Sequence, residues 1–521
     1  MPLWENPEFI RNCRAQLRPR RMLTGLLVVA ALSLVVGYSM HESHENSGEW
    51  AKALMIMGLG AQLAVLGLAG GMACALAIYR EKENNTFDFQ RVTRLTPLEV
   101  TVGKLFGAPI FCYFLTACLM PVALVGGIFA RIPATHLVTG LVIILLGSIV
   151  FHALALLMSL LSPRGGTGVP GALLLLFLPV LVLPAMNQST LKTAGPWAGV
   201  LFAAEGSWQT RSAVDSAGLP YATSDWTDLV FGWPVHHVPV LLTLYLTLLG
   251  WLLLALVRNM KRDPGDFELY SPEESVGLLC YFNLLVLAFY VPREWVQYQG
   301  APIAAQRNTV FQIFLGLNIA LLYFLGATLL RSREQSRRRV YDLDAAGPGW
   351  RGAVWPAGYV LTAAGCVAVL VCTRFALSSM LRGKLDPGVA AFQVVFLLAA
   401  VLRDLFYFQW MKLRRLRYPL AMGFVFLSVF YACSLILLNT MPWIGEGKQP
   451  VLMAIPIPWV AIFLDQTTLA SQAAGWSIAL GAQLALCALF AWLHYRKLAE
   501  LAPVRGGGQS APAAAAAPSG M

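Results

Sequence analysis

Few residues in this chain are spaced for chemistry. The stretch HESHE sets His41 and His44 three positions apart, with Glu42 and Glu45 beside them. A metal site needs three or four converging ligands and a second shell, so two histidines in a short loop read as polar loop residues. No GxxxxGK[ST] occurs, and GEGKQ at Gly445–Gln449 has the wrong spacing. The chain is therefore not expected to cradle ATP or to bind a cofactor of its own. Asp215, Asp225, Asp228, Arg293 and Glu294 are scattered without catalytic spacing, and neither a catalytic set nor a metal set is expected. What stands out is YREKENNTFDFQRVTRLTPLEVTVGK, Tyr79 to Lys104, the longest strongly charged stretch in the first half.

The elements that must hold that stretch are apolar. Of the 521 residues, 57% are hydrophobic and 12% charged, against roughly 25% charged in soluble domains. Runs such as Met22–Met40 and Leu137–Leu161 reach the roughly 20 residues needed to span a bilayer. The pattern predicts an all-α, polytopic helical membrane protein. About twelve spans are expected, near 22–40, 52–79, 105–130, 137–161, 169–186, 238–257, 276–291, 309–330, 357–376, 389–410, 420–439 and 473–494. No signal-peptide cleavage pattern follows the first apolar run, so that span is expected to be retained.

Charge orients the spans. With the amino terminus inside, the inside segments hold 27 Lys and Arg and the outside segments 8. This asymmetry predicts both termini in the cytoplasm. It also accounts for most of the net charge of +11. The basic residues lie at membrane edges and are not gathered on one domain, which argues for lipid and against nucleic acid as a partner. Of the nine cysteines, none falls in an outside loop, and no disulfide framework is expected. The spans show no obvious carboxylate in their cores, which counts against an ion-coupled carrier. Gly67 and Gly71 form a GxxxG in the second span that suits close helix contact, within one chain or between two.

By this scheme the opening stretch is a cytoplasmic loop. Phe87, Phe89, Val92, Leu95 and Leu98 recur at two- to three-residue steps, so a helix from about Asn85 to Leu95 would gather several on one side. Thr96-Pro97 breaks it, and Pro97 can open the next helix. A short amphipathic helix and a plain connecting loop both fit.

The residues REKENNTFDFQRVTRLTPLEVTVGKLFGAP resemble the loop after the second span of ABC-2 type transporter permeases. The family's acidic E-x-E-x-x-T stretch falls on Glu81, Glu83 and Thr86. Its T/S-P-L turn falls on Thr96, Pro97 and Leu98, and the GK pair that opens its third span on Gly103 and Lys104. The resemblance implies a coupling helix at about 84–98 that docks on a separate ATPase subunit, with Phe87, Phe89 and Arg91 also in contact. Residues 1–21 resemble the family's basic amphipathic helix along the inner membrane surface, with Arg11, Arg14 and Arg18 toward lipid headgroups. It further implies a permease domain over 22–258. The outside segment 187–237 falls where the family places short re-entrant helices; a small cap with an aromatic core fits its tryptophans equally.

Residues 259–500 read as a second six-span domain, either a diverged permease-like half or an accessory membrane domain, and 501–521 as a disordered tail. Arg403 and Asp404 near a span end read first as an interfacial anchor and second as a buried functional pair. The implied function is the permease subunit of an exporter in the bacterial inner membrane. ATP and Mg would sit on the partner ATPase, expected in two copies, with pairing of two permease chains left open. A membrane-embedded lipid- or glycan-modifying transferase, or a non-transporting scaffold, stands as the alternative.

Overall fold

The computed structural model describes residues 2–43, 47–161, 200, 212–214, 220–222, 227–230, 233–262, 269–297, 303–337, 387–416, 419–439, 458 and 473–500. The expected spans at 169–186 and 357–376, His44 and the tail 501–521 lie outside them. Contacts divide the chain into two compact units, Met1–Leu269 with Ala288–Gln297, and Tyr270–Leu287 with Tyr298–Met521.

In the first unit, α1 (Pro7–Gln16) and α2 (Pro19–Ser43) precede one long rod. The rod consists of α3 (Ser47–Leu63), a π-helical segment (Ala64–Ala69) and α4 (Gly70–Glu83). Then come α5 (Phe87–Arg91), α6 (Pro97–Gly107), α7 (Ile110–Phe129) and α8 (Ala134–Leu161). Two antiparallel hairpins follow, β1 (Ser212–Val214) with β2 (Pro220–Ala222) and β3 (Thr227–Val230) with β4 (Trp233–His236). α9 (His237–Asn259) closes the series, and the residues of α10 (Pro272–Gln297) are divided between the two units at Leu287. The second unit adds α11 (Ile303–Leu329), α12 (Pro387–Leu413), α13 (Pro419–Asn439) and α14 (Ala473–Ala499).

Among the described residues, seven helices are long and apolar enough to cross a membrane. They are Pro19–Ser39, Gly48–Glu83, Ile110–Phe129, Ala134–Leu161, Val238–Asn259, Phe392–Leu413 and Ala474–Ala499. Shorter apolar stretches, Asn318–Leu329 and Met422–Cys433, lie within α11 and α13, and α10 covers the expected seventh span as a helix. The third span begins later than expected: α6 stops at Gly107, and α7 starts after Pro109. A proline has no N–H to continue the helical ladder and clashes with the turn before it. In the outside segment, the described residues 212–214, 220–222, 227–230 and 233–236 form two hairpins and Val200 is helical; Thr227, Val230, Trp233 and Val235 are residues that favour a pleated strand.

Lipid tails are as apolar as leucine, so spans associate through close packing and hydrogen bonds. In the first unit α3 packs on α7, α4 on α8, and α8 on α9. Met55, Leu59 and Leu63 form a buried cluster with Ala123, Leu137 and Ile144. The GxxxG glycine Gly71 meets a neighbour within the chain: a Cβ there would lie 2.6 Å from the Phe151 ring. At Gly70 a Cβ would come within 2.4 Å of the His152 ring. That imidazole donates Nε2–H to the Leu66 carbonyl in the π segment at 2.7 Å, and the Tyr113 hydroxyl lies 3.3 Å from its Nδ1. A π turn leaves backbone carbonyls short of their usual donors, and His152 supplies one.

Candidate functional site

The charged stretch is built around an acidic residue that sequence reading passed over, Glu8. Asn6 caps α1: its Oδ1 accepts from the Glu8 and Phe9 amides, at 3.0 and 3.3 Å, and Pro7 fills the first helical position. The Asn6 amide also donates to the Glu99 carbonyl of α6 at 2.7 Å. α1 thereby lies across α6. A Cβ at Gly103 would strike Asn6 Oδ1 and Glu8 Cβ, both at 2.8 Å, and one at Gly107 would sit 3.0 Å from Asn12 Cβ. Glycines one turn apart open the groove that admits α1. Gln16 finishes the contact by donating to the Ala108 carbonyl at 2.9 Å.

Where α1, α4 and α6 meet, four charges form a closed ring. Lys104 Nζ donates to Glu8 Oε1 at 2.9 Å and to both Glu81 oxygens at 2.7 and 2.6 Å. Arg11 Nη2 donates to Glu8 Oε1 at 2.7 Å and to Glu81 Oε1 at 2.9 Å. Two cations alternate with two anions, so the ring is neutral. Lys104 and Glu8 are buried, while Glu81 keeps some exposure and Arg11 is half-exposed. Gln90 of α5 donates to Glu81 Oε1 at 2.8 Å and brings the loop into the ring. A second lysine, Lys82, is buried beside it and donates to the Ser159 and Leu160 carbonyls at the end of α8. These are the carbonyls that a helix terminus leaves unsatisfied, and the negative end of its dipole suits the ammonium.

The loop itself is shorter as a helix than its pattern predicts. Asn85 takes a left-handed backbone, φ 54°, and α5 covers Phe87–Arg91 alone, so the expected helix to Leu95 is not formed. Asparagine tolerates that conformation, and it turns the chain out of α4. Thr86 Oγ1 donates back to the Glu81 carbonyl. Thr96 and Glu99 form a reciprocal capping box at the start of α6, with Pro97 at the first position. Thr96 holds the Glu99 carboxyl below its usual value of 4.5, first through its backbone amide and then through its side chain. Lys261, just past α9, donates to the Thr93 carbonyl at 2.7 Å, and Arg91 reaches the Lys261 carbonyl at 3.5 Å.

These ties sort the predicted contact residues. Glu81 is the hub of the ring and faces inward. Glu83 accepts from the Tyr79 hydroxyl at 2.6 Å on the same helix. Phe87 is 3% exposed, with the Lys82 ammonium 5.9 Å from its ring centre, whereas Phe89 is 72% and Val92 82% exposed. Leu98 is exposed as well. Two phenylalanines grouped on one side in the sequence thus face opposite ways. Arg11 is turned into the ring and away from a purely lipid-facing role, while Arg14 and Arg18 are exposed. Near the expected histidine pair, the His41 ring packs edge-on to Trp50 at 5.6 Å. Among the described residues no group of three or more His, Cys, Asp or Glu is arranged to hold a metal.

The long apolar rods and their charged ends define a multi-pass, helical membrane protein. Within it, residues 34–202 match the family model described as ABC-2 family transporter protein. The matched stretch contains α5, α6, Glu81 and Lys104, and the resemblance to ABC-2 permeases holds over that segment. Glu8 and Arg11, which close the ring, lie ahead of it. No curated protein and no solved structure matches the chain.

Proposed function

We propose that this chain is the membrane subunit of an ABC exporter and that a separate ATPase docks on the exposed apolar edge formed by Phe89, Val92 and Leu98. One observation carries this reading. The edge runs from the five-residue helix through the turn after it to the start of α6, and its base is tied to α1, α4 and α6 through the Glu8–Lys104–Glu81 ring. A lone exposed apolar loop would slide under load. One braced by buried charges transmits a push to the spans α4 and α7 that flank it. ATP and Mg act on the partner, two copies of which serve one transport pathway, while the permease residues transmit motion and do no bond chemistry. The excess of Lys and Arg on this face supports a cytoplasmic position for it and for both termini, in a bacterial inner membrane.

The test is co-purification of the ATPase with variants at matched membrane levels. Phe89→Ser with Val92→Ser removes two large apolar contacts, each worth about 1.5–3 kcal/mol when fully buried. ATPase recovery should fall at least about tenfold, with the yield of the permease unchanged. Phe87→Ser should act differently, lowering the yield of the chain itself. Undiminished recovery with the Phe89/Val92 variant would overturn the docking edge. Turnover of a lipid or sugar by the isolated chain would replace the transport reading with an enzyme.

A further inference from the structure

The second unit holds a polar cluster that the coupling apparatus does not use. Arg403 and Asp404 lie within the span Phe392–Leu413 and are 3% and 1% exposed. Arg403 Nε donates to Asp404 Oδ1 at 2.8 Å, Nη1 to Gln483 Oε1 at 2.7 Å, and Nη2 to the Tyr431 hydroxyl at 2.6 Å. The Tyr323 and Tyr431 hydroxyls donate to Asp404 Oδ2 at 2.6 and 3.0 Å. The partners come from α11, α13 and α14, so the pair is buried and is not a snorkelling anchor.

Beside it lies a cavity of ≈ 360 Å³ between α11, α12 and α13. This is within the roughly 300–1,000 Å³ common for small-molecule sites. Asp404, Tyr323, Tyr431, Phe408 and Phe424 form its wall, with Ser428 at the rim. Asp404 lines the cavity and Arg403 does not, so the carboxylate is the member of the pair nearer to it. The Phe408 and Phe424 rings lie 4.7 Å apart, and Phe424 and Ser428 are exposed, which opens the cavity to the surroundings of α13.

We propose that this cavity binds a lipophilic organic cation, one whose charge is spread over alkyl or aryl groups. A carboxylate among aromatic faces attracts such a charge through both Coulomb and ring-quadrupole terms. A small hydrated metal ion would have to shed its water for one carboxylate already bonded to three groups. An anionic headgroup would meet Asp404 directly. The proposal stands apart from ATPase docking, because binding is read on the chain alone.

The experiment places the purified full chain in nanodiscs and measures saturable binding of tetraphenylphosphonium by equilibrium dialysis. Tetraphenylborate, an anion of the same shape, is the comparison. Ala327 lines the cavity at an exposed position, so Ala327→Trp fills the space without disturbing the ion pair. Saturable phosphonium binding is expected, with at least about tenfold preference over the borate. Ala327→Trp should reduce it at least about tenfold, and Phe424→Leu, which removes one ring, about 3- to 10-fold. Equal binding of the two ions would make the cavity a greasy groove for neutral chains. That result, unsaturable phosphonium uptake, or unchanged binding by Ala327→Trp would each overturn the proposal.

Discussion

Each unit buries a set of charges, and the two sets are made differently. The ring at α1, α4 and α6 joins residues far apart in sequence, Glu8, Glu81 and Lys104, at the charged end of the helices. The cluster on α12 joins neighbours, Arg403 and Asp404, inside a span. At the helix ends water reaches Arg11 and part of Glu81, and flexible lysine and glutamate suffice. Inside the span both charges are almost wholly buried. There the planar fork of arginine meets a carboxylate side-on, and tyrosine and glutamine fill the remaining sites. The first arrangement clamps three chain segments into one body. The second satisfies its own charges while leaving a carboxylate on a cavity wall. Burial of charge therefore serves bracing in one place and presentation in the other.

The contrast can be broken experimentally, most severely in the span. Arg403→Leu leaves Asp404 buried without its cation, and loss of one partner of a buried pair costs about 3–5 kcal/mol. Folded yield in detergent should collapse. The double variant Arg403→Leu/Asp404→Leu should recover much of it, because no charge is then stranded. A double variant no better than the single would show that the pair acts through something other than mutual neutralisation.

Lys104→Met should do less damage. It leaves Glu8 and Glu81 facing each other, yet Arg11 still bridges them and water reaches the site, so about 2–3 kcal/mol is expected. The loss should be local: faster hydrogen exchange across α1 with the other spans protected. Uniform loss of protection would mean that the ring holds more than α1 and its loop.

The smallest effect is at the start of α6. Thr96→Ala removes a cap contact worth about 1 kcal/mol. Because the folded Glu99 pKa is lowered, the contribution of that carboxylate is complete above its unfolded value of 4.5 and is lost as pH falls through the lower folded value. Protection at the first turn of α6 should fall in acid for the native chain and be nearly insensitive to acid in Glu99→Gln, the variant to compare because Thr96→Ala keeps the backbone amide that holds the carboxylate. Parallel acid profiles for the two would remove Glu99 from the cap.

Sequence pattern revealed the rods well, since a run of twenty apolar residues has few other uses. Ten of the expected spans fall on described residues, and each is helical over most of its length there, the third with a break at Ala108–Pro109. The Thr96-Pro97 helix start was also legible, because a capping residue and a proline act on their nearest neighbours. The site was legible only in outline. Phe87 and Phe89 were grouped as one apolar face, but residues two apart on a helix point about 200° from each other, and the pair divides between inside and outside. Glu8 reads locally only as an i,i+3 partner of Arg11, and its buried cation, Lys104, is 96 positions away. Arg403 and Asp404 looked like an anchor because the sequence near them shows Lys412, Arg414 and Arg415, whereas the hydroxyls that bury them come from other helices.

The π turn in the second rod has a consequence for how that rod tolerates change. Six residues, Ala64–Ala69, are wound wider than the helix on either side. One extra residue in a turn advances everything beyond it by about 100° and about 1.5 Å. The rod is thus two half-rods out of phase, and the wide turn is the joint between their phases. Gly70 and Gly71 face His152 and Phe151 because of that offset. Deleting a single residue there would spare the hydropathy of the span entirely, yet it would rotate Glu81 and Lys82 away from Lys104 and α8 at the far end. A membrane helix of unchanged composition would then carry its charges to the wrong side, and the chain would insert without assembling its ring.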